Sequence, residues 1–316
     1  MSIAIDLTNV SKAFGETRAV NDLNLQIPEG SMCGFLGPNG AGKSTTIRMI
    51  MSIIHADQGD IQVLGATALA SKDRIGYLPE ERGVYRKMKV LQFVEYIANL
   101  KGMYGASLRK TIRTWLERIE LPEVENKKCE ELSKGMQQKV QFLAAIIHDP
   151  ELIILDEPFS GLDPMNAQVI GSIIHDLHAE GKTILFSTHV LHQAEQICDR
   201  IIMIDQGYKV LDGSLASIQA QFDPRVLTIE PVDSSANFTS LPGVESVSAG
   251  KTNTSFNLRI TDNADPATVL QEIVAKVPVL SARVAKPSLD EIFIEQVVRS
   301  RGSEAADAVR TELHHA

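Results

Sequence analysis

Alternating apolar and polar residues near the amino terminus predict half-buried strands at residues 3–7 and 23–27, with a turn at Phe14-Gly15 between them. Short apolar runs predict further strands, at residues 32–36, 61–64, 75–78, 152–155, 183–187, 201–204 and 209–211. Helical composition or spacing is found at residues 46–50, 167–177 and 190–198. Strands that alternate with helices in this way favour a largely parallel sheet sandwiched by helices. The predicted fold class of this part of the chain is therefore α/β.

The pattern changes between residues 90 and 131, where apolar residues recur at helical spacing and no strand pattern interrupts them. The recurring residues are Val90, Phe93, Val94, Ile97 and Leu100, followed by Ile112, Trp115, Leu116 and Ile119. We interpret this block as a helical subdomain of about residues 89–135, inserted between two parts of the α/β domain.

A domain boundary is expected between Gly213 and Pro224, which ends a first domain of residues 1–215. The remaining elements are predicted strands at residues 226–229, 244–248, 256–260 and 282–285, and predicted helices at residues 267–277 and 289–298. They form a small α+β accessory domain at residues 224–300, of a size within the normal range. The polar residues 302–316 are expected to fray.

The nine residues GPNGAGKST, at positions 37–45, lie between a predicted buried strand and a predicted helix, which is the context of a P-loop. The glycines let backbone N–H groups converge on phosphate oxygens, and the helix N-terminus adds the positive end of its dipole. Lys43 is expected to reach the β- and γ-phosphates, and the Ser44 hydroxyl to ligate Mg²⁺. The predicted nucleotide cradle comprises Gly37, Pro38, Asn39, Gly40, Ala41, Gly42, Lys43, Ser44 and Thr45. This stretch predicts a nucleoside triphosphate site.

Asp156 and Glu157 follow the run 152–155, whose continuous aliphatic character is typical of a strand buried on both faces. An acidic residue at the carboxyl end of such a strand lies beside the P-loop, where Mg²⁺ needs an oxygen ligand. We expect Asp156 to hold the metal directly or through water, and Glu157 to orient and polarise the attacking water. A solvated acidic strand end is the alternative interpretation of the pair.

The sequence LSKGMQQ, at residues 132–138, resembles the signature motif of ATP-binding cassette (ABC) ATPases, whose common form is LSGGQ. In that family the motif begins a helix and contacts the γ-phosphate held by the opposite protomer. Ser133 and Gly135, the residues nearest the phosphate in that family, match the common form, whereas Lys134 and Met136 depart from it. Lys134 either adds positive charge near the nucleotide or points to solvent. The motif is similar to that of ABC ATPases of the sodium-efflux and drug-export (ABC-2) type.

Four further positions extend the resemblance. Asp163 matches the D-loop residue that meets the opposing P-loop, and His189 matches the switch histidine that hydrogen-bonds the γ-phosphate. Phe14 matches the aromatic residue that stacks on adenine, although a core phenylalanine is the alternative. Glu80 stands where the family usually has the Q-loop glutamine, and it still offers an oxygen to Mg²⁺ or to the lytic water. Residues 82–88 are either part of the surface that docks on the membrane partner or a plain solvated loop.

The resemblance implies a P-loop NTPase of the ABC ATPase fold over residues 1 to about 215, with ATP and Mg²⁺ as cofactors. It also implies a dimer, most simply a homodimer, that closes on two ATP molecules and drives an exporter through a separate membrane permease. The segment at residues 287–293 resembles the end of the accessory domain in the sodium-efflux type. Its helix either packs on its own domain's sheet, or contributes to a homodimer contact or to regulation of the ATPase.

Two other functions are compatible with the same motifs. A soluble ABC ATPase of translation or DNA repair usually carries two cassettes or a long coiled-coil insertion, and neither pattern is found here. A nucleotide-binding regulator without turnover would not need Glu157, the predicted water-orienting group. The transported substrate is not encoded in these motifs, because the permease selects it.

Composition agrees with a protein that reaches the membrane through a partner. The formal net charge is −9, which offers no global basic field for nucleic acid. The three cysteines match no metal or redox spacing and are expected to be reduced, as in the cytosol. Neither a secretory signal nor an apolar run of roughly 18 residues is found. We therefore expect a cytoplasmic protein, peripheral on the inner face of the cell membrane.

Overall fold

The computed structural model describes residues 2–81, 83–222, 226–233, 236–239, 241–250, 252, 254–261 and 263–301. Arg82 of the expected docking segment, Pro224 of the expected boundary and the tail 302–316 lie outside the described residues. The chain divides into two compact units, the first ending at Leu215 and the second beginning at Ala216.

The first unit contains nine strands among its described residues: β1 (Ile3–Phe14), β2 (Thr17–Pro28), β3 (Met32–Leu36), β4 (Gln58–Val63), β5 (Ile75–Leu78), β6 (Leu152–Asp156), β7 (Thr183–Thr188), β8 (Arg200–Asp205) and β9 (Tyr208–Ser214). Its α-helices are α1 (Lys43–Ile50), α2 (Val90–Leu100), α3 (Ala106–Arg118), α4 (Lys134–Ile146), α5 (Pro164–Ala179) and α6 (Leu191–Ile197). A short helix, α7 (Leu215–Gln219), spans the division between the units.

A six-stranded sheet in the order β5-β6-β7-β3-β8-β9 forms the centre of the first unit. Its first five strands in this order run parallel and β9 pairs antiparallel with β8, which confirms the predicted largely parallel sheet. Every residue of β3, β6 and β7 is buried, as their continuous apolar runs require. Because β3, β6 and β7 are neighbours and parallel, their carboxyl ends meet at one edge of the sheet.

A separate three-stranded antiparallel sheet, in the order β2-β1-β4, was not distinguished in the sequence. Strands β1 and β2 each have twelve residues, although alternation predicts only residues 3–7 and 23–27. The register between the two strands shifts after Leu7, and Asn9 adopts a positive φ of 53°. Such irregularities move side chains between faces and interrupt the period of two on which the prediction depends.

The predicted helical insertion is confirmed between β5 and β6, where α2, α3 and α4 follow one another. Short 3₁₀ turns at Pro122–Val124 and Cys129–Glu131 connect α3 to α4. The buried residues of α2 and α3 include Val90, Phe93, Val94, Ile112 and Leu116, which are members of the periodic pattern in the sequence. Among the described residues, no helix is both long and apolar enough to cross a bilayer.

Gly76 of β5 marks a close approach between the sheet and α4. A Cβ atom on Gly76 would lie 2.3 Å from the Ala145 carbonyl oxygen and 2.9 Å from Pro150. Since backbone and proline atoms move little, Gly76→Ala is expected to lower the free energy of unfolding by roughly 1–3 kcal/mol. Denaturant unfolding measures this change. Gly83→Ala serves as the control, because its Cβ would meet only the Gln141 side chain, at 3.7 Å. Equal losses in the two variants would contradict the packing argument.

The second unit is an α+β fold built on a four-stranded antiparallel sheet in the order β11-β12-β10-β13. Its elements are β10 (Val226–Pro231), β11 (Val244–Ala249), β12 (Phe256–Ile260), α8 (Pro266–Lys276), β13 (Val279–Ala285) and α9 (Leu289–Arg301). One face of the sheet, with Leu227, Ile229 and Leu258, is buried against Val269 and Ile273 of α8. The Asp265 side chain caps α8 by accepting a hydrogen bond from Thr268 N at 2.9 Å.

Candidate active site

The carboxyl edge of the parallel sheet carries a small polar cleft of about 230 Å³. The P-loop that follows β3 forms one wall, and the loops after β5 and β6 each add a carboxylate. The residues that line it are Ala19, Asn39, Gly40, Gly42, Lys43, Ser44, Thr45, Glu80 and Glu157. Except for Ala19 of β2, all of them are residues for which the sequence predicts a role in nucleotide binding, metal binding or catalysis.

The P-loop holds its shape through glycines at positions where other residues do not fit. Gly37 and Gly42 have φ values of 150° and 105°, and a Cβ on Gly42 would lie 2.3 Å from the Ala19 carbonyl oxygen. Helix α1 begins at Lys43, three residues before the predicted start. The buried Lys43 ammonium donates to the carbonyl oxygens of Gly37, at 2.6 Å, and Pro38, at 3.1 Å. The lysine is thus held across the loop whose residues line the cleft.

Three carboxylates surround the Lys43 ammonium. Burial lowers the pKa of Lys43, while the charges of Glu157, Asp156 and Glu80 act in the opposite direction. For Asp156, burial raises the pKa of the carboxyl group, and a hydrogen bond from the Ser187 hydroxyl opposes this shift. The cleft therefore combines one cation with several anionic oxygens in a partly desolvated setting, as sites for phosphate chemistry do.

Ser44 and Asp156 supply a donor set that fits Mg²⁺. The Ser44 side chain lies close enough to the Asp156 carboxyl group to lower its pKa, against the effect of burial. Mg²⁺ is held by one or two protein oxygens, with waters and substrate phosphates completing the octahedron. Across the described residues, no group of three or more histidine, cysteine or acidic side chains forms a metal cage. The arrangement therefore suits a metal that arrives with a nucleotide.

Glu157 and His189 form a hydrogen-bonded pair at the end of the sheet. Glu157 has a positive φ of 49°, a left-handed backbone conformation that is energetically unfavourable for residues other than glycine. Such strained conformations are frequent at functional sites. Its Oε1 atom contacts His189 Nδ1 at 2.6 Å and accepts from His189 N at 3.0 Å, and Oε2 accepts from the Thr188 hydroxyl at 3.2 Å. With Nδ1 paired to the carboxylate, the Nε2 atom of His189 makes no hydrogen bond to any described residue. The predicted phosphate contact of this histidine therefore falls to Nε2.

The signature and D-loop residues lie together, but they are not among the described residues that line the cleft. Ser133 caps α4 by accepting from Met136 N at 3.2 Å, and Asp163 caps α5 by accepting from Asn166 N at 3.0 Å. A Cβ on Gly135 would lie 3.5 Å from the Asn166 side chain, so the two helix starts are neighbours. In this chain, the three residues that are predicted to contact the opposite protomer's P-loop or nucleotide thus occupy one patch, and none of them lines the chain's own phosphate cleft.

Phe14 ends β1 at the tip of the hairpin with β2. Its ring is 53% exposed, and the Lys12 ammonium lies 5.4 Å from the ring centroid. The exposure rules out the alternative that Phe14 is a core residue. Phe14 does not line the phosphate cleft, whose contact with this hairpin is Ala19 on β2. The ring is therefore exposed and lies outside the phosphate cleft, and its contact with adenine stays a prediction.

Helix α4 connects the site's two carboxylate loops through two glutamines for which no such role is predicted from the sequence. Gln141 donates to the Glu81 carbonyl oxygen at 3.2 Å and accepts from Gly83 N, which holds the loop after Glu80. Gln138 donates to the Pro158 carbonyl oxygen at 3.3 Å, next to Glu157. Buried glutamines three positions apart on one helix would have been the signal for such a role.

Comparison with known proteins agrees with this geometry. The ABC transporter family model matches residues 20–160, and the model of the C-terminal domain of DrrA1-3-like ATP-binding proteins matches residues 213–297. The chain is 40% identical to the uncharacterized ABC transporter ATP-binding protein YhaQ of Bacillus subtilis, over 93% of this chain and 98% of that protein. It is 37% identical to the ABC transporter ATP-binding protein NatA of the same organism, over 68% of this chain and 91% of NatA.

One further relative and one solved structure are also similar to the chain. The Nod factor export ATP-binding protein I of Sinorhizobium fredii is 37% identical, over 67% of this chain and 63% of that protein. A dimeric ATP-binding cassette, solved in a post-hydrolysis state with ADP and Pi, is 29% identical with a TM-score of 0.62, over 67% of this chain and 98% of that one. The chain belongs to the ATP-binding proteins of ABC transporters, and its P-loop unit is an ABC ATPase.

Proposed function

We propose that this chain is the ATP-hydrolysing subunit of an ABC-type exporter, working as a dimer on a separate membrane permease at the inner face of the cell membrane. The observation that carries the proposal is the separation of its site residues into two groups. Lys43, Glu157 and Glu80 line one cleft, whereas Ser133 and Gly135 lie in a patch outside it. Two chains placed head to tail would each complete the other's site.

In the proposed reaction, Lys43 and the P-loop N–H groups bind the β- and γ-phosphates. Ser44 and Asp156 would hold Mg²⁺, which neutralises charge on the phosphate oxygens, with Glu80 as a further oxygen donor. Glu157 orients a water molecule in line with the γ-phosphate and accepts its proton. His189 keeps the Glu157 carboxylate in place through Nδ1 and presents Nε2 to the γ-phosphate.

The patch of the second chain completes this site. Ser133 and the start of α4 would donate to the γ-phosphate, and Asp163 would meet the opposing P-loop. ATP binding then brings the chains together, and loss of the γ-phosphate removes the contact that both share. Closure on ATP is the step that drives the permease.

Export is favoured by one relative, which is named Nod factor export ATP-binding protein I. Recovery of the tagged chain from washed membranes together with a multi-span permease is the expected result. Recovery in the soluble fraction, without a permease, would favour the soluble ABC ATPase instead.

The shared site is tested by mixing two inactive variants. Lys43→Ala removes the phosphate-binding ammonium, and Gly135→Asp places a carboxylate where the partner's γ-phosphate would lie. A Cβ at Gly135 has only ordinary contacts, at 3.5 Å, so the substitution is directed at the partner. Mixed in equal amounts, the variants are expected to regain roughly a quarter of the parent ATPase activity, since half of the dimers carry one intact site. If the site lay within one chain, mixing would restore nothing.

A further inference from the structure

A second cleft lies in the C-terminal unit, on the face of its sheet opposite α8. It encloses about 760 Å³, within the range of roughly 300–1,000 Å³ that is typical of small-molecule sites. Residues alternate along β10, so Leu227 and Ile229 enter the core while Thr228 and Glu230 point into the cleft. The sheet is thus anchored by the core on one face and carries a polar cleft on the other face.

The strand register brings the polar residues of the cleft together. Thr228 pairs directly with Arg283 of β13 on one side and with Asn257 of β12 on the other. Glu230 pairs with Ser281 of β13. Because directly paired residues of an antiparallel sheet point to the same face, these five side chains form one continuous surface.

The acidic residues of the cleft are already engaged with the protein. Glu230 accepts from the Thr254 hydroxyl at 3.0 Å. Glu291 accepts from Ser288 N at 2.8 Å, while the Ser288 hydroxyl accepts from Glu291 N, which makes a capping box. Both carboxylates thus have local hydrogen-bond donors.

The cations of the cleft differ in this respect. Neither Arg283 nor Lys286 makes a hydrogen bond or ion pair with any residue that the structure describes. The amide of Asn257 accepts from the Thr228 hydroxyl at 3.1 Å through Oδ1, which leaves its two N–H groups for another acceptor. The cleft therefore presents an excess of donors, two of them charged and exposed, and is complementary to an anionic ligand.

We propose that this cleft binds a small hydroxylated anion. Arg283, whose guanidinium fork matches carboxylate and phosphate oxygens, would hold the charged group together with Lys286. Asn257 and Ser281 would bind the ligand's hydroxyl groups, and the second carboxylate oxygen of Glu230 would accept from one of them. Such a site gives the accessory domain a ligand of its own, distinct from ATP.

The test uses the full chain saturated with a non-hydrolysable ATP analogue, so that the P-loop and the γ-phosphate position are occupied and do not bind the probes. Three probes are titrated by calorimetry: glucuronate, glucose 6-phosphate and inorganic phosphate. Glucuronate carries a carboxylate and glucose 6-phosphate carries a phosphate, so comparing them shows which charged group the cleft prefers. At least one of the two hydroxylated probes is expected to saturate the cleft and to bind it more tightly than inorganic phosphate does. Arg283→Gln should weaken its binding by about tenfold or more, because charge-assisted hydrogen bonds are lost.

The control variant is Arg259→Gln. Arg259 is an exposed arginine of β12 that lies 3.4 Å from Glu245 and does not line the cleft. It is expected to bind the probe as the parent does, and circular dichroism should show both variants folded. The proposal is overturned if no hydroxylated probe saturates, if inorganic phosphate binds as tightly as the hydroxylated probes, or if the two variants weaken binding equally.

Discussion

A Glu157→Gln variant is expected to bind ATP normally and to hydrolyse it about 10²–10⁴-fold more slowly than the parent chain. Glutamine has the same shape as glutamate, and its amide oxygen can still accept from His189 N at the observed 3.0 Å. Its amide NH₂ group takes the place of Oε2 and can donate to the Thr188 hydroxyl, which lies 3.2 Å from that position. The local geometry is therefore kept. A neutral amide, however, cannot accept a proton from the attacking water. Steady-state phosphate release measures the loss, and a nucleotide titration shows that binding persists.

The same variant is expected to accumulate as an ATP-bound dimer, because the γ-phosphate that joins the two chains is not removed. Size-exclusion chromatography with and without ATP detects this dimer. Glu80→Gln is the matched control, since Glu80 lines the same cleft and the change restores the residue that the family usually has. It is expected to retain turnover within about tenfold. If Glu80→Gln abolished hydrolysis and Glu157→Gln did not, the two carboxylates would have to exchange roles.

The parallel sheet could be predicted because its strands are buried on both faces and read as short continuous apolar runs. Met32–Leu36 and Ile75–Leu78 have the predicted bounds, since each run ends where polar or glycine-rich residues begin. The outer halves of β1 and β2 could not be predicted in the same way. Their pairing contains register shifts, and the pairing of β1 with β4 depends on contacts between distant segments.

In the candidate site, too, the features set by neighbouring residues were predictable, whereas the features that depend on distant segments were not. The P-loop and the Asp156-Glu157 pair were predictable because each follows a recognisable strand. The hydrogen bond between Glu157 and His189 was not, since it requires β6 and β7 to be neighbours and to pair Asp156 with Ser187. Sequence patterns reveal the carboxyl end of a strand, but not which strand lies beside it.

Lys43→Ala is expected to weaken ATP binding by about 100-fold, corresponding to roughly 3 kcal/mol, since two charge-assisted hydrogen bonds to phosphate are lost. Burial already lowers the pKa of this ammonium, so part of its desolvation is completed before a nucleotide arrives. A fluorescent ATP analogue titrated in the absence of hydrolysis measures the change. Turnover should fall with binding, because the same ammonium stabilises the transferred phosphate.

The Lys43 ammonium also donates to the carbonyl oxygens of Gly37 and Pro38, so its loss could act by loosening the P-loop. Lys43→Gln separates the two effects, because the amide is a hydrogen-bond donor of shorter reach that carries no charge. If charge is what binds phosphate, both variants lose affinity to a similar degree while their unfolding temperatures stay close to that of the parent. Parent-like ATP affinity in Lys43→Gln would show that Lys43 acts by holding the loop, and the phosphate role would then be wrong.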